Sequence, residues 1–178
     1  MLRDIDRGSS IIHISGREYR ARLTLYSLLY LETCYRPLSD IFGKPLTKED
    51  IVQICRAAMC SCPWNAKAVR ARNFEKVRPS LEELNKRIED RDIPLLTFEL
   101  TSAVIASMPE TSEDDAQPSD KAFHEGHLRA IYVDIIGRPE EEFWNSTHRE
   151  IAKRIDCYYE VKGDKEAADL VQEFDDDD

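Results

Sequence analysis

The stretch Ser15-Gly-Arg-Glu-Tyr-Arg-Ala-Arg-Leu-Thr-Leu-Tyr-Ser-Leu-Leu-Tyr-Leu-Glu32 decides how the first part of the chain folds. Apolar and polar residues alternate on both sides of Ser15-Gly16, as they do in the two strands of a hairpin. After Thr24, leucines and tyrosines recur at helical spacing until Pro37 ends the run. The stretch therefore predicts a short β-hairpin that leads directly into a helix with Thr24 as its N-cap.

Further helix starts are marked by capping boxes, in which a Ser or Thr stands three residues before an acidic side chain. A helix is also expected from Leu95 to Met108, with Pro94 in its first turn, although Thr97, Phe98 and Thr101 leave a strand open. We prefer the helix because the segment is long for a strand. The capping boxes pair Thr47 with Asp50, Ser80 with Glu83, and Thr147 with Glu150.

A basic cluster follows Asn65, which we expect to cap the helix that carries it. Such a cluster is typical of a solvated helix face, and it also fits docking against an acidic partner or against the acidic tail of this chain. Its members are Lys67, Arg70, Arg72, Lys76 and Arg78.

The second part of the chain contains three predicted helical segments. The first runs from Phe123 to Ile136 and ends at Gly137, which suits a left-handed C-terminal residue. Pro139 is expected at the first position of a short acidic helix, and the helix behind Thr147 is expected to end at Gly163. Inward-facing positions of the first segment are Phe123, Leu128, Ile131, Tyr132 and Ile135. The fold class predicted for the whole chain is mainly α with a short N-terminal β-hairpin.

A stretch without large apolar residues, 109–120, separates the two parts and carries five acidic side chains. Residues 1–108 hold 17 basic and 14 acidic side chains, whereas residues 121–178 hold 8 basic and 16 acidic ones. A charged, apolar-poor segment repels itself and stays extended. We therefore expect two small helical modules, 1–108 and 121–178, joined by an acidic flexible linker. The acidic second module should repel phosphate, so nucleic acid is not an expected partner.

The cysteines and the apolar runs set further limits. The chain has five cysteines, an odd number, and no export signal, so free thiols are expected. Cys60-Ser-Cys62 lacks the second pair that a zinc site needs, so we predict no metal and no cofactor. No apolar run approaches the ~20 residues of a membrane span. The expected location is the cytoplasm, without membrane contact.

No catalytic constellation is visible. The acids Glu140, Glu141 and Glu142 open a helix, where negative charge suits the helix dipole. Consecutive helical acids point in different directions, and no phosphate loop, HExxH run or nucleophile elbow accompanies them. We therefore expect a binding protein and not an enzyme.

One alternative binding function comes from Thr147-His-Arg-Glu-Ile-Ala-Lys-Arg-Ile155, which is similar to the first helix of helix-turn-helix regulators. Such a regulator needs a short turn and a second helix that carries basic or amide side chains to the base edges. Here the segment from Asp156 to Lys162 continues as helix, and the residues behind it are acidic on balance. A DNA-binding regulator remains the alternative.

A second pattern covers both parts. The opening stretch Ser15 to Glu32, followed by Leu46-Thr-Lys-Glu-Asp-Ile-Val-Gln-Ile54 and Ser80-Leu-Glu-Glu-Leu84, resembles the tail assembly chaperones of long-tailed bacteriophages and related prophages. In that family a Gly-x-x-Tyr hairpin runs into a Leu-Thr-Leu-x-x-Leu-x-x-Leu-Glu helix. In the second part, Pro139-Glu-Glu-Glu-Phe-Trp144-Asn-Ser-Thr147-His-Arg-Glu150-Ile151 resembles the family's Pro-x-x-Phe-Trp-x-x-Thr-Pro-x-Glu element, with His148 where proline is frequent.

The resemblance implies a non-catalytic assembly factor in the cytoplasm of the host cell that is absent from the mature virion. Its partners would be the long, helical tape-measure protein and the subunits of the tail tube. By analogy, residues 1–108 would bind the tape-measure protein and self-associate, and residues 121–178 would recruit tube subunits.

Aromatic side chains often dominate the energy of protein interfaces, and on this basis we select candidate contact residues. Each aromatic candidate has a competing interpretation as part of the core, which is the stronger one for Phe143 and Trp144. For the first module the candidates are Tyr26, Tyr30, Tyr35 and the basic cluster, and for the second they are Phe143, Trp144, Tyr158 and Tyr159.

Overall fold

The structure, a computed structural model, describes residues 9–108 and 125–175, with side chains for residues 9–108 and 126–163. It confirms the predicted fold class, mainly α with an antiparallel hairpin at the start. The strands are β1 (Ser10–Ile14) and β2 (Arg17–Ala21). The helices are α1 (Leu25–Cys34), α2 (Leu38–Phe42), α3 (Lys48–Ala58), α4 (Ala66–Arg70), α5 (Leu81–Arg87), α6 (Ile93–Ser107), α7 (Glu125–Arg129), α8 (Glu140–Asn145) and α9 (His148–Asp175).

The hairpin forms as the sequence predicts. Ile12 pairs with Tyr19 and Ile14 with Arg17, so the alternating apolar side chains Ile12 and Ile14 both enter the core. The two turn residues, Ser15 and Gly16, have φ angles of 51° and 71°. Two successive positive φ angles match the right-handed twist of paired strands, which is why this turn closes a two-residue hairpin.

The predicted caps are present at the helix starts. Thr24 Oγ1 accepts a hydrogen bond from the Ser27 N–H at the start of α1, at 3.3 Å. At α3, Thr47 Oγ1 accepts from the Asp50 N–H at 3.2 Å, and Asp50 Oδ2 accepts from the Thr47 N–H at 2.8 Å. The same reciprocal pattern starts α5 and α9. Each box satisfies two N–H groups that have no partner inside the helix.

Replacing Thr47 by alanine should lower the free energy of unfolding by about 1 kcal/mol, because the Asp50 N–H loses its acceptor. Urea unfolding of the variant and the parent protein measures the difference. The control is Thr101→Ala on an exposed position within α6. An unchanged midpoint for Thr47→Ala would show that the cap contributes nothing.

The two parts of the chain pack against each other in the described residues. The Leu25 N–H donates to the Ser146 carbonyl at 3.0 Å, and the rings of Tyr26 and Trp144 stack with centroids 5.6 Å apart. Arg22 forms an ion pair with Glu150 across the same contact. Buried side chains of both parts therefore belong to one hydrophobic cluster. The division into two modules remains a prediction, and the linker 109–120 lies outside the described residues.

Two predictions are wrong, the end of α9 at Gly163 and the capping of a helix by Asn65. Gly163 does not end α9, which continues to Asp175, since glycine weakens a helix by only about 1 kcal/mol relative to alanine. Asn65 caps no helix because its buried amide is otherwise engaged. Its Nδ2 donates to the Met59 and Arg78 carbonyls, and its Oδ1 accepts from the Arg78 N–H.

Two further predictions are wrong in detail. The basic cluster does not occupy one helix, because α4 ends at Arg70 and Arg72 adopts a left-handed conformation with φ 51°. Ile135 is exposed, because a π-helical turn over Ala130–Ile135 changes the residue spacing that holds Tyr132 in the core. Phe123 lies outside the described residues. Gly137 has the predicted positive φ, 76°, and α8 starts directly after Pro139.

No helix in the described ranges combines the length and the apolar character needed to cross a lipid bilayer.

Candidate partner-binding surface

Helix α6 lies against the hairpin, α3 and α9, and one side of it is buried. Its 15 residues span about 22 Å at 1.5 Å per residue. At 100° per residue, the buried positions fall on one side of the helix, as expected for a helix docked on a core. These positions are Leu96, Leu100, Ala103 and Ser107.

The opposite side of α6 is apolar as well, and it faces solvent. Leu95, Phe98 and Ile105 are 52%, 72% and 64% exposed. Phe98 and Ile105 are seven residues apart, so they share one side of the helix, with Leu95 beside them. We call these three residues the α6 face. A helix that is apolar on both sides is typically covered on both of them, and a contiguous exposed apolar patch often marks an interaction site.

A groove runs alongside the α6 face. It lies between α6 and the segment that connects α2 to α3, and we call it the α6 groove. Apolar atoms form most of its wall, and Lys44 is its one charged lining residue. Its lining residues are Phe42, Lys44, Pro45, Leu46, Thr97, Thr101 and Val104.

The single charged residue of α6, Glu99, faces the hairpin and is 9% exposed. Its Oε2 accepts from the His13 backbone N–H at 2.8 Å, and its Oε1 accepts from His13 Nδ1 at 2.6 Å. Glu18 is the other carboxylate near this ring, 3.6 Å from Nε2. These contacts fix the rotation of α6 against β1, because they hold Glu99 towards the strand and leave the α6 face outside.

The hydrogen bond to Glu99 raises the pKa of His13 above its ordinary value of 6.5. A raised folded-state pKa stabilises the fold below the unfolded-state pKa, and the contribution is lost as pH rises through the folded-state value. We expect the free energy of unfolding of wild type minus that of His13→Gln to be larger at about pH 5.5 than at about pH 8.5. Denaturant titrations at both pH values test this. A difference that grows with pH would contradict it.

The three tyrosines proposed as contacts of the first module are engaged within the protein. Tyr26 is buried against Trp144. Tyr30 is buried and donates to Gln53 Oε1 at 2.7 Å, and burial raises its pKa to about 12. Tyr35 is half-buried and donates to Asp50 Oδ1 at 2.9 Å. Of the three, only Tyr35 offers part of its ring to a partner.

In the second module the aromatic candidates divide into two groups. Phe143 is 0% exposed and Trp144 is buried, with their rings 5.2 Å apart in an edge-to-face contact. Tyr158 is half-buried and Tyr159 is exposed, both on α9. The first pair therefore occupies the core, and the second pair remains accessible.

The basic cluster is exposed, and part of it meets acidic residues of this chain. Arg70 Nη1 is 3.0 Å from Glu141 Oε1, and the Arg72 guanidinium lies 5.2 Å from the Trp144 ring centre. Arg70 is thus paired with α8, while docking of the cluster against an acidic partner or against the acidic tail remains a prediction. Lys67, Lys76 and Arg78 are also exposed.

Sequence reasoning missed the α6 face, although a signal for it is present. The segment Ile93-Pro-Leu-Leu-Thr-Phe-Glu-Leu-Thr-Ser-Ala-Val-Ile105 contains a single charged residue. It has more apolar residues than are needed to bury one side of a helix. Sequence reasoning also missed Trp64, which is 63% exposed and lies over a cleft beside β2. The indole Nε1–H donates to the Arg78 carbonyl at 3.3 Å.

The thiols are free, as predicted. Burial raises the pKa of Cys55 and of Cys60 to about 12, so both stay protonated at neutral pH. In residues 9–108 and 126–163, no three His, Cys, Asp or Glu side chains form a group suited to a metal ion.

No protein-family model, curated protein or solved structure matches the chain.

Proposed function

We propose that this protein is a non-catalytic tail assembly chaperone of a long-tailed phage or prophage. In this role it binds the tape-measure protein in the host cytoplasm and recruits tail-tube subunits. The proposal combines the sequence resemblance in both parts of the chain with one structural observation, the α6 face. That face offers another helical polypeptide an apolar surface to pack against.

The free energy cost of exposed apolar surface favours a partner that covers the α6 face. A partner that covers apolar surface gains a binding free energy of roughly 25 cal/mol for each Å² removed from water. The exposed surface in question belongs to Leu95, Phe98 and Ile105. A long helical protein with apolar stripes has the matching surface, because an amphipathic helix presents side chains at spacings of three and four residues. Covering such stripes keeps the partner in solution until assembly begins.

Recruitment of tube subunits is assigned to the second part of the chain. Since Phe143 and Trp144 lie in the core, the accessible aromatic side chains among residues 126–163 are Tyr158 and Tyr159 on α9. Val161, which is exposed on the same helix, lines a shallow pocket with Tyr158. These α9 residues are the proposed contact for tube subunits.

Co-expression with tape-measure fragments tests the chaperone role. The expected result is that a fragment that aggregates alone remains in solution and co-purifies with the chain. A chain that leaves the fragment insoluble, and instead binds duplex DNA with an affinity that falls steeply with salt, would favour the helix-turn-helix alternative.

A further inference from the structure

We propose that the α6 face and the α6 groove together select an amphipathic helix whose apolar stripe is flanked by a carboxylate facing Lys44. This inference rests on the proposed function, since it names the chemistry of the segment that such a chaperone would hold. It concerns the surface made by α6 and the α2–α3 connection.

The dimensions of the surface suit a helix of a few turns. Phe98 and Ile105 lie about 10.5 Å apart along α6, at 1.5 Å per residue. A helix laid beside them meets both with side chains one heptad apart, and its intervening side chains reach the groove at Thr101 and Val104. A partner of roughly three turns covers the whole surface.

The character of the lining favours a helix over an extended segment. The surface offers side chains of a helix and of a loop, and Thr97 Oγ1 already donates to the Ile93 carbonyl at 2.8 Å. An extended segment brings unpaired backbone N–H and C=O groups that need partners when buried. A helix satisfies these groups internally, so it can cover apolar surface without that cost.

Lys44 sets the charge of the partner. It lines the groove, and in residues 9–108 and 126–163 it forms no ion pair. Lys48, four residues further along the chain, forms an ion pair with Asp90 instead, with its Nζ 2.7 Å from Asp90 Oδ1. A carboxylate beside the partner's apolar stripe therefore finds an available cation at the rim of the groove. A lysine at that place would be repelled.

A second copy of this chain fits the surface less well than such a partner. Antiparallel packing of two α6 faces would bring apolar residues together, but α6 has Glu99 as its single charged residue. Glu99 is turned away and bound to His13. A second α6 can therefore supply no carboxylate to Lys44.

The test uses two fluorescein-labelled helical peptides of about 21 residues. Both carry the same leucine stripe, flanked by glutamate in one and by lysine in the other. Fluorescence anisotropy with the full chain at about 150 mM salt should show threefold to tenfold tighter binding of the glutamate peptide. Lys44→Glu should reverse the preference. Lys86→Glu, a matched charge reversal at an exposed position on α5 outside the groove, should leave it unchanged.

Several outcomes would overturn the inference. These are equal binding of both peptides, a preference that Lys44→Glu leaves intact, and equal binding of a proline-containing version that cannot form a helix. A concentration-dependent dimer in sedimentation that Phe98→Ala abolishes would assign the surface to a second copy instead.

The inference and the proposed function can fail separately. If tape-measure fragments are captured equally well by Phe98→Ala and Lys44→Glu, the chaperone role stands and the inferred surface is wrong. If the glutamate peptide binds as expected but no tape-measure fragment is captured, the surface stands and the chaperone role is wrong.

Discussion

Replacing Phe143 by alanine is expected to lower the free energy of unfolding by about 3–5 kcal/mol. Its side chain is fully buried, with its ring centre 5.8 Å from that of Tyr132 and 5.2 Å from that of Trp144. Removing the ring leaves a cavity between α8 and the π-helical turn. Because total stability is commonly about 5–15 kcal/mol, about a fifth or more of it would be lost.

Denaturant unfolding and thermal melting measure this effect, with Phe98→Ala as the matched control. Phe98 carries the same ring at an exposed position, so its removal should change stability by no more than about 0.5 kcal/mol. Unchanged melting of Phe143→Ala together with loss of tube-subunit capture would instead make Phe143 a contact residue.

Phe98→Ala should weaken binding of a tape-measure fragment by about 30-fold or more, the effect typical of an interface hot spot. Phe98 is the most exposed residue of the α6 face and lies at its centre, between Leu95 and Ile105. A partner helix packed there would enclose the ring, and truncation to alanine would leave that contact empty. Phe143→Ala is therefore expected to impair folding, whereas Phe98→Ala is expected to impair binding.

Isothermal titration of the fragment with each variant checks the binding effect. Trp64→Ala is the control, because Trp64 is also an exposed aromatic residue but lies beside β2. Equal weakening by Trp64→Ala and Phe98→Ala would indicate a nonspecific loss of apolar surface. Full affinity in Phe98→Ala would remove α6 from the interface.

The local features of this fold could be read from sequence because neighbouring residues determine them. Each capping box joins a hydroxyl and a carboxylate three positions apart, as in Thr47 with Asp50. The hairpin turn at Ser15-Gly16 depends on two φ angles, and Gly137 supplies a third positive value without a side-chain clash. Tertiary contacts are not needed to specify any of them.

Features that depend on distant residues could not be predicted. The stacking of Tyr26 on Trp144 joins positions more than a hundred residues apart, and it buries both candidate contacts. Asn65 has the composition of a cap, but its amide links Met59 to Arg78. In each case a long-range contact overrides the local preference.

The candidate site was harder to predict than the fold. Aromatic residues and basic clusters are common predictors of a binding surface. The same residue types also form cores and internal ion pairs, as Tyr30 and Arg70 do. The α6 face consists of ordinary aliphatic and aromatic residues, and the sequence does not show that the other side of α6 is already buried. Phe98 and Phe143 differ in solvent exposure, which the sequence alone does not give.

Methyl NMR of isoleucine-labelled protein tests the central claim most directly, that the α6 face binds the helical partner. On addition of a tape-measure fragment, the Ile105 methyl signal should shift or broaden, while that of Ile151, buried at the start of α9, stays in place. If Ile151 responds and Ile105 does not, the partner binds elsewhere and the account is contradicted.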